Sequence, residues 1–315
     1  RLVGSEMCIR DSFITVGAVY AGAGASETLG ELGSINTLPG AFMAAFAAAI
    51  SLYWMARDGL PVSTSQAIVG AIIGWNVFAD KPTHPEILSK IVSTWIICPL
   101  LSGIIAVILY FFIRMLIRRS HLHILRQDSY TRFGLIVAGA FGAYALGANN
   151  IANVMGVFVP SSPFTNLDLG YGLVLTGTQQ LFLLGALAIC VGVFTYSHHV
   201  INTVGNNLMR MSPLVAFVVV LSQSIVLFLF ASKSLEHFLL SHNLPALPLV
   251  PVSSTQAVIG AVMGIGLAKG GRELNWNILG HVALGWIVTP IAAALVCYIS
   301  VSYTHLRAHE TELHL

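Results

Sequence analysis

The chain has 315 residues, of which 9% are charged and 56% hydrophobic, with a mean hydropathy of +0.81 and a formal net charge of +2. A soluble domain carries about a quarter charged residues, so this composition excludes an ordinary soluble enzyme or binding module. The near-neutral balance leaves no electrostatic footprint for nucleic acid. The chain reads as an all-α polytopic membrane protein, with apolar runs long enough to cross a bilayer as helices.

The first segment, residues 1–12 (RLVGSEMCIRDS), is polar and mixed and has no apolar core of the kind a signal peptide needs. Residues 301–315 (VSYTHLRAHETELHL) turn abruptly hydrophilic. Both read as non-native tails, so Glu6, Cys8 and the His cluster at 305–314 are left out of the functional reading. The chain between them is expected to be an internal fragment of a longer protein. The other cysteines, Cys98, Cys190 and Cys297, lie in apolar runs and have no metal-binding spacing, so they read as small buried hydrophobes.

Phe13–Ala25 is short and apolar, and a polar linker is expected over Ser26–Thr37, with Glu27 and Glu31 in a solvated loop. Leu38–Met55 is a span rich in Ala and Phe, and Arg57-Asp58-Gly59 marks an interface. Pro61-Val62-Ser63-Thr64-Ser65-Gln66 opens an apolar segment to Phe78. After a polar loop, Ile87–Ile117 is a long span containing Pro99. Arg114, Arg118, Arg119, Arg126 and Arg132, with His121 and His123, form the dense basic stretch of the chain. The positive-inside rule makes residues 118–132 a cytoplasmic loop. Spans then follow at Phe133–Phe158, Tyr171–Tyr196, Leu214–Ala231, Val252–Leu267 and Ile278–Ile299.

The sequence repeats. Pro61-Val-Ser-Thr-Ser-Gln-Ala-Ile-Val-Gly matches Pro251-Val-Ser-Ser-Thr-Gln-Ala-Val-Ile-Gly, and Trp95 to Pro99 matches Trp286 to Pro290. Residues 13–117 and 133–300 therefore read as two copies of one unit. Counting the segment that the first motif opens, five apolar segments lie between one Pro-Val-Ser motif and the next. An odd number of crossings inverts the second copy, so two inverted repeats with broken or re-entrant helices are expected, the architecture of secondary transporters. Glu27-Thr28-Leu29-Gly30 weakly echoes Asn202-Thr203-Val204-Gly205. On that register a first copy of the Asn-rich stretch described next would fall before residue 1, and the first repeat is expected to be truncated at its N-terminus.

The nine residues Gly147-Ala-Asn-Asn-Ile-Ala-Asn-Val-Met155 interrupt an apolar run with Asn149, Asn150 and Asn153. Hydrocarbon cannot satisfy an amide side chain. These residues must face a helix–helix interface, a watery cavity or an ion. Their oxygens, together with backbone unwound at Gly147, suit a hard cation such as Na⁺. The two Pro-Val-Ser motifs read as helix starts, since Pro is tolerated in the first turn. Ser63, Thr64, Ser65 and Gln66, and Ser253, Ser254, Thr255 and Gln256, then cluster with free backbone N–H groups at the positive end of a helix dipole. That arrangement is an anion site without Lys or Arg. Either motif alone reads as plain helix capping; duplication within a twofold repeat favours two halves of one site.

These motifs, GANNIANVMG at 147–156, PVSTSQAIVGAIIG at 61–74 and PVSSTQAVIGAVMG at 251–264, resemble the inorganic phosphate transporter family, which also contains bacterial sulfate permeases. The resemblance covers nearly all of residues 13–300. It implies symport of phosphate with Na⁺ or H⁺ in a bacterial inner membrane, with no cofactor beyond a bound Na⁺ and with a homodimer as one possible assembly. It also implies that Ser63, Thr64, Ser65, Ser253, Ser254 and Thr255 hold the anion and that Asn149, Asn150 and Asn153 lie at the cation and substrate region. Two residues depart from the family pattern. Asn150 stands where Asp is usual, and the motifs end in Gln66 and Gln256 where the common phosphate pattern has His. Both changes make the site less able to adjust its charge, as suits a fixed dianion such as sulfate.

Among other polar residues, His198-His199 are adjacent and on a helix would not face one site. Trp95 and Trp286 read as packing or interfacial anchors, and Lys269, Arg272 and Glu273 as loop. The competing classes are an intramembrane enzyme, for which no HExxH, GxSxG or paired membrane carboxylates appear, and an uncoupled anion channel.

Overall fold

A computed structural model describes residues 2–313 apart from 34, 58–61, 121–122, 169, 171, 173, 203–207 and 210. Asp58, Gly59, Pro61, His121, Thr203 to Asn207 and the tail's last two residues thus lie outside the described residues, as do the side chains of His198 and His199.

The helices are α1 (Leu2–Ala21), α2 (Ala23–Leu32), α3 (Leu38–Arg57), α4 (Thr64–Phe78), α5 (Pro85–Ser120), α6 (Ile124–Met155), α7 (Gly177–Asn202), α8 (Pro213–Ala231), α9 (Lys233–Ser241), α10 (Ser254–Ala268) and α11 (Trp276–Leu313). A 3₁₀ turn, Gly156–Ser161, continues α6, and a two-stranded hairpin pairs Leu167–Asp168 with Val174–Leu175. Six helices are long and apolar enough to cross a membrane: α3, α5, α6, α7, α8 and α11. The chain is an integral membrane protein.

The outer face of the bundle carries the repeat. On α5, Ile96, Leu100, Ile104 and Ile108 stand about 60% exposed at i, i+4 spacing; on α11 the matching positions Ile287, Ile291, Leu295 and Ile299 do the same. In water such stripes would be costly, whereas in a bilayer they are the solvated surface. The two short helices are the opposite case. α4 and α10 have 15 residues each, roughly 22 Å at the helical rise and too short for the hydrocarbon core. Both are buried on nearly every side, α4 from Ser65 to Ile72 without interruption.

The packing exchanges the two halves. α4, which opens in the first motif, lies against α11 of the second half, and α10 of the second lies against α5 of the first. Glycine sets both crossings. A Cβ on Gly70 would stand 2.1 Å from the Pro290 carbonyl oxygen, and one on Gly260 would stand 2.1 Å from that of Pro99. Pro99 and Pro290 sit within α5 and α11. The long helices therefore meet the short ones at repeat-related backbone contacts that admit no side chain.

Three expected features differ. The polar linker at Ser26–Thr37 is mostly helix α2: Leu29 and Leu32 are buried, Ser26 Oγ donates to the Gly22 carbonyl at 2.8 Å, and Glu27 and Glu31 ride the exposed face. The basic stretch is mostly helical too. Helix α5 reaches Ser120 and α6 begins at Ile124, and Arg118 and Arg119 close the last turn of α5, where the helix dipole favours cations. Arg132 pairs with Asp128 one turn away at 2.9 Å. Finally, the polar segments at both ends continue α1 and α11 rather than breaking them; Val301 is buried.

Candidate functional site

The two short helices begin alike. Ser63 caps α4 by accepting from the Gln66 N–H at 3.3 Å, and Ser253 caps α10 by accepting from the Gln256 N–H at 3.2 Å. Each cap residue is extended, so the chain enters the helix straight. The fifth residues of the two motifs then cross over. Ser65 Oγ donates to the Val252 carbonyl at 3.0 Å, and Thr255 Oγ1 donates to the Val62 carbonyl at 3.4 Å. Each helix start is thus tied to the strand that leads into the other. The N-termini of α4 and α10 meet tip to tip.

Helix α6 joins them from the side. Asn149 and Asn153 are one turn apart and share a face. Asn149 Oδ1 accepts from the Val252 N–H at 3.0 Å while its Nδ2 donates to the Val252 carbonyl at 2.7 Å and to Asn150 Oδ1 at 2.9 Å. Asn153 Nδ2 donates to Thr64 Oγ1 at 3.2 Å and Ser65 Oγ at 2.9 Å. One amide therefore holds the second motif and the other holds the first. The cluster is tightened by α5, whose Ser102 Oγ donates to the Ala257 carbonyl at 2.6 Å and whose Cys98 thiol donates to the Ser253 carbonyl at 3.7 Å.

Burial divides the residues into two sets. Ser63, Ser65, Gln66, Asn149, Asn153, Ser253 and Gln256 are buried. Thr64 is exposed, and Asn150, Ser254 and Thr255 are half-buried, so their polar groups border the accessible space. Among the described residues the Ser254 hydroxyl makes no hydrogen bond. Three buried amide oxygens also lack a partner there: Gln66 Oε1, Gln256 Oε1 and Asn153 Oδ1. None of the clustered residues is charged. Two helix N-termini, each worth about half a positive charge, face one another with only neutral groups between.

All the expected anion and Asn residues are brought together except Gly147. Helix α6 runs unbroken through that position, and the expected unwinding is absent. A Cβ on Gly147 would stand 2.1 Å from the Ile14 carbonyl oxygen, so the residue is glycine because α1 crosses there. The regular helix ends instead after Met155, where the 3₁₀ turn begins.

The profile described as "Phosphate transporter family" matches residues 7–131 and again 125–297. The chain belongs to the phosphate transporter family. Each matched block contains one Pro-Val-Ser motif. A provisionally named phosphate permease of Methanocaldococcus jannaschii is 25% identical over 286 residues, 91% of this chain and 81% of that protein. The sulfate permease CysP of Bacillus subtilis is 28% identical over 265 residues, 81% of this chain and 64% of its own length. Among solved structures, one described as "The sodium-dependent phosphate transporter" superposes with a TM-score of 0.65 at 18% identity, covering 96% of this chain and 99% of that one. That likeness shows the fold.

Some residues of this family member's cluster were not evident beforehand. The Val252 backbone, Cys98, Ser102 and the crossing partners Gly70–Pro290 and Gly260–Pro99 all shape it. The signal lay in the repeat, which duplicates both the Gly and the Pro.

Proposed function

We propose that this protein is a secondary active transporter that carries inorganic phosphate through the membrane by symport with Na⁺ or H⁺, in the inner membrane of a bacterium. The observation that carries the reading is the tip-to-tip meeting of α4 and α10 under the Asn149–Asn153 clamp. Two helix N-termini raise a positive potential at one point, and only an anion relieves it. The Thr64 and Ser254 hydroxyls provide donors to a tetrahedral oxyanion without a salt bridge that would slow its release. The oxygens of Gln66, Gln256 and Asn153 are acceptors of the kind a hard cation takes as ligands, and a cation beside the anion would couple the two fluxes. The exchanged packing of the halves suits two inverted repeats that rock about this point.

Sulfate is the second reading. Gln66 and Gln256 are buried and neutral, and Asn150 supplies no carboxylate, so none of these three residues titrates with the protonation of phosphate. A relative named as a sulfate permease is 28% identical.

The test is uptake of labelled phosphate and of labelled sulfate into proteoliposomes, with and without a Na⁺ or pH gradient. Gradient-driven accumulation of phosphate is expected, and accumulation of sulfate alone would transfer the assignment to the second reading. Uptake that ignores both gradients would replace symport with a channel, and uptake of neither anion would remove the transport reading.

A further inference from the structure

Twelve buried side-chain atoms lack a hydrogen-bond partner among the described residues, and four of them fall into two repeat-related pairs. Gln66 Oε1 and Trp286 Nε1 belong to the crossing of α4 on α11; Gln256 Oε1 and Trp95 Nε1 belong to that of α10 on α5. The glycine contacts give the register. On α4, Gly70 and Gly74 meet Pro290 and Ala294 of α11, and one turn earlier on the same two faces stand Gln66 and Trp286. On α10, Gly260 and Gly264 meet Pro99 and Gly103 of α5, and one turn earlier stand Gln256 and Trp95. The long helices are still adjacent at that level. A Cβ on Gly285 would stand 3.5 Å from Val62 Cγ1, and the Cys98 thiol bonds the Ser253 carbonyl.

Each pair is a donor without an acceptor and an acceptor without a donor. A membrane interior supplies neither with water, and a buried amide oxygen or indole N–H left unmet is costly. Nor does either glutamine take its usual local partner. Ser63-Thr-Ser-Gln66 and Ser253-Ser-Thr-Gln256 have capping-box spacing, in which the Gln side chain returns to the N–H of the cap residue. The serine halves of both boxes are made, at 3.3 and 3.2 Å, and the glutamine halves are not. The two amides are thus buried at the two helix starts with their oxygens uncommitted. An amide serves an oxyanion only one way round, since its Nε2 donates and its Oε1 can only accept.

We propose that Trp286 and Trp95 are positioning residues for the transported oxyanion. When the anion seats, each indole N–H takes the oxygen of the facing glutamine, directly or through one water, and so turns the Nε2 of Gln66 and of Gln256 to the anion at the starts of α4 and α10. This rests on the anion-transport reading above. It also narrows that reading: the two glutamine oxygens are met by tryptophan, and Asn153 Oδ1 remains for a cation. Because the pairs are repeat-related, the anion is oriented from both halves alike.

The experiment is equilibrium binding of labelled phosphate and sulfate to the purified full chain, with uptake kinetics and melting temperatures alongside. Trp286→Phe and Trp95→Phe keep a ring and remove the N–H. Each is expected to raise the half-saturating concentration of both anions about three- to tenfold, the scale of one net hydrogen bond, with the maximal uptake rate little changed. Gln66→Leu should weaken binding at least as much. Adding Trp286→Phe to Gln66→Leu should weaken it no further, because the tryptophan acts through the glutamine. Trp75→Phe is the control: its Nε1 is also buried and unpartnered, but its ring packs on Gly40 near the other end of α4. It should lower the melting temperature without moving either half-saturating concentration. Ultraviolet resonance Raman spectra of the wild-type chain, which need no variant to fold, should show stronger indole N–H hydrogen bonding once phosphate or sulfate is added. Unchanged binding in both Trp286→Phe and Trp95→Phe overturns the proposal. So does an unchanged Raman band, or Trp286→Phe acting in full on top of Gln66→Leu, or Trp75→Phe shifting binding as far as Trp286→Phe. If the wild-type chain binds neither anion, the transport reading fails and the positioning role with it.

Discussion

Asn149 pairs with the backbone of Val252 as a neighbouring strand would, giving one hydrogen bond and taking one at 2.7 and 3.0 Å. A membrane interior offers Val252 no water in exchange. Asn149→Leu therefore strands the buried Val252 N–H, at a cost of about 1–3 kcal/mol, while the Val252 carbonyl keeps the Ser65 hydroxyl. The expected result is a loss of about 2 kcal/mol of stability, seen as a lower melting temperature in detergent, together with lost uptake. Asn149→Asp keeps the acceptor for the Val252 N–H but sets a carboxylate against the Val252 carbonyl, and should fall between wild type and Asn149→Leu. If Asn149→Leu melts like wild type, the clamp is not holding the second motif.

The motif hydroxyls should separate into two classes. Ser63 and Ser253 cap helices and are buried, so Ser63→Ala or Ser253→Ala should cost about 1 kcal/mol of stability. Ser254 is half-buried and, among the described residues, unbonded. Ser254→Ala should leave the melting temperature in place and raise the half-saturating concentration for anion uptake severalfold. Parallel melting and uptake measurements on the three variants check this. A Ser254→Ala protein with wild-type uptake would reduce that hydroxyl to a spectator.

Much of this arrangement was legible in the sequence, and the reasons are specific. Lipid requires long apolar helices, so the apolar run Ile87–Ile117 announced α5 and Ile278–Ile299 announced α11. Duplication paired the two Pro-Val-Ser starts before any coordinates did. Helix α2 was hidden because Glu27 and Glu31 outweigh Leu29 and Leu32 in so short a segment; only burial against the core reveals its apolar face. At Gly147 a glycine in a membrane helix signals unwinding and close crossing equally well, and the deciding atom is the carbonyl oxygen of Ile14, 133 residues away in sequence. The backbone of Val252 could not be foreseen as the partner of Asn149, since nothing in a valine marks its peptide groups for use.

The backbone crossings make a third prediction. Gly70→Ala and Gly260→Ala each drive a methyl group to 2.1 Å from a proline carbonyl oxygen, a collision with backbone rather than with a movable side chain. Both should destabilise at the upper end of overpacking costs, about 3 kcal/mol, and by similar amounts because the two crossings are repeat-related. A Cβ on Gly280 of α11 meets nothing within 4 Å. Gly280→Ala should be neutral or stabilising by about 0.5–1 kcal/mol. Expression level and melting temperature report the outcome, and a large difference between the Gly70 and Gly260 variants would break the equivalence of the two halves.

Asn150 stands where the resemblance leads one to expect an aspartate, and its surroundings allow a carboxylate to be placed there. Its Oδ1 already accepts from Asn149 Nδ2 at 2.9 Å, so Asn150→Asp keeps that bond and adds one negative charge beside the helix starts. The residue is half-buried, so the charge is affordable without a fixed partner but strongly felt by a bound anion. Without Na⁺ the added charge repels the oxyanion, and the half-saturating anion concentration should rise about tenfold, or about 1.4 kcal/mol. With Na⁺ present the cation offsets the carboxylate and the value should return towards wild type. Asn150→Asp should therefore make uptake more steeply Na⁺-dependent than the wild-type protein, and Asn150→Leu should not. Uptake measured against Na⁺ concentration for all three proteins decides it: parallel Na⁺ curves would place the coupling cation away from α6, whereas a steeper curve for the aspartate alone locates it beside Asn149 and Asn153.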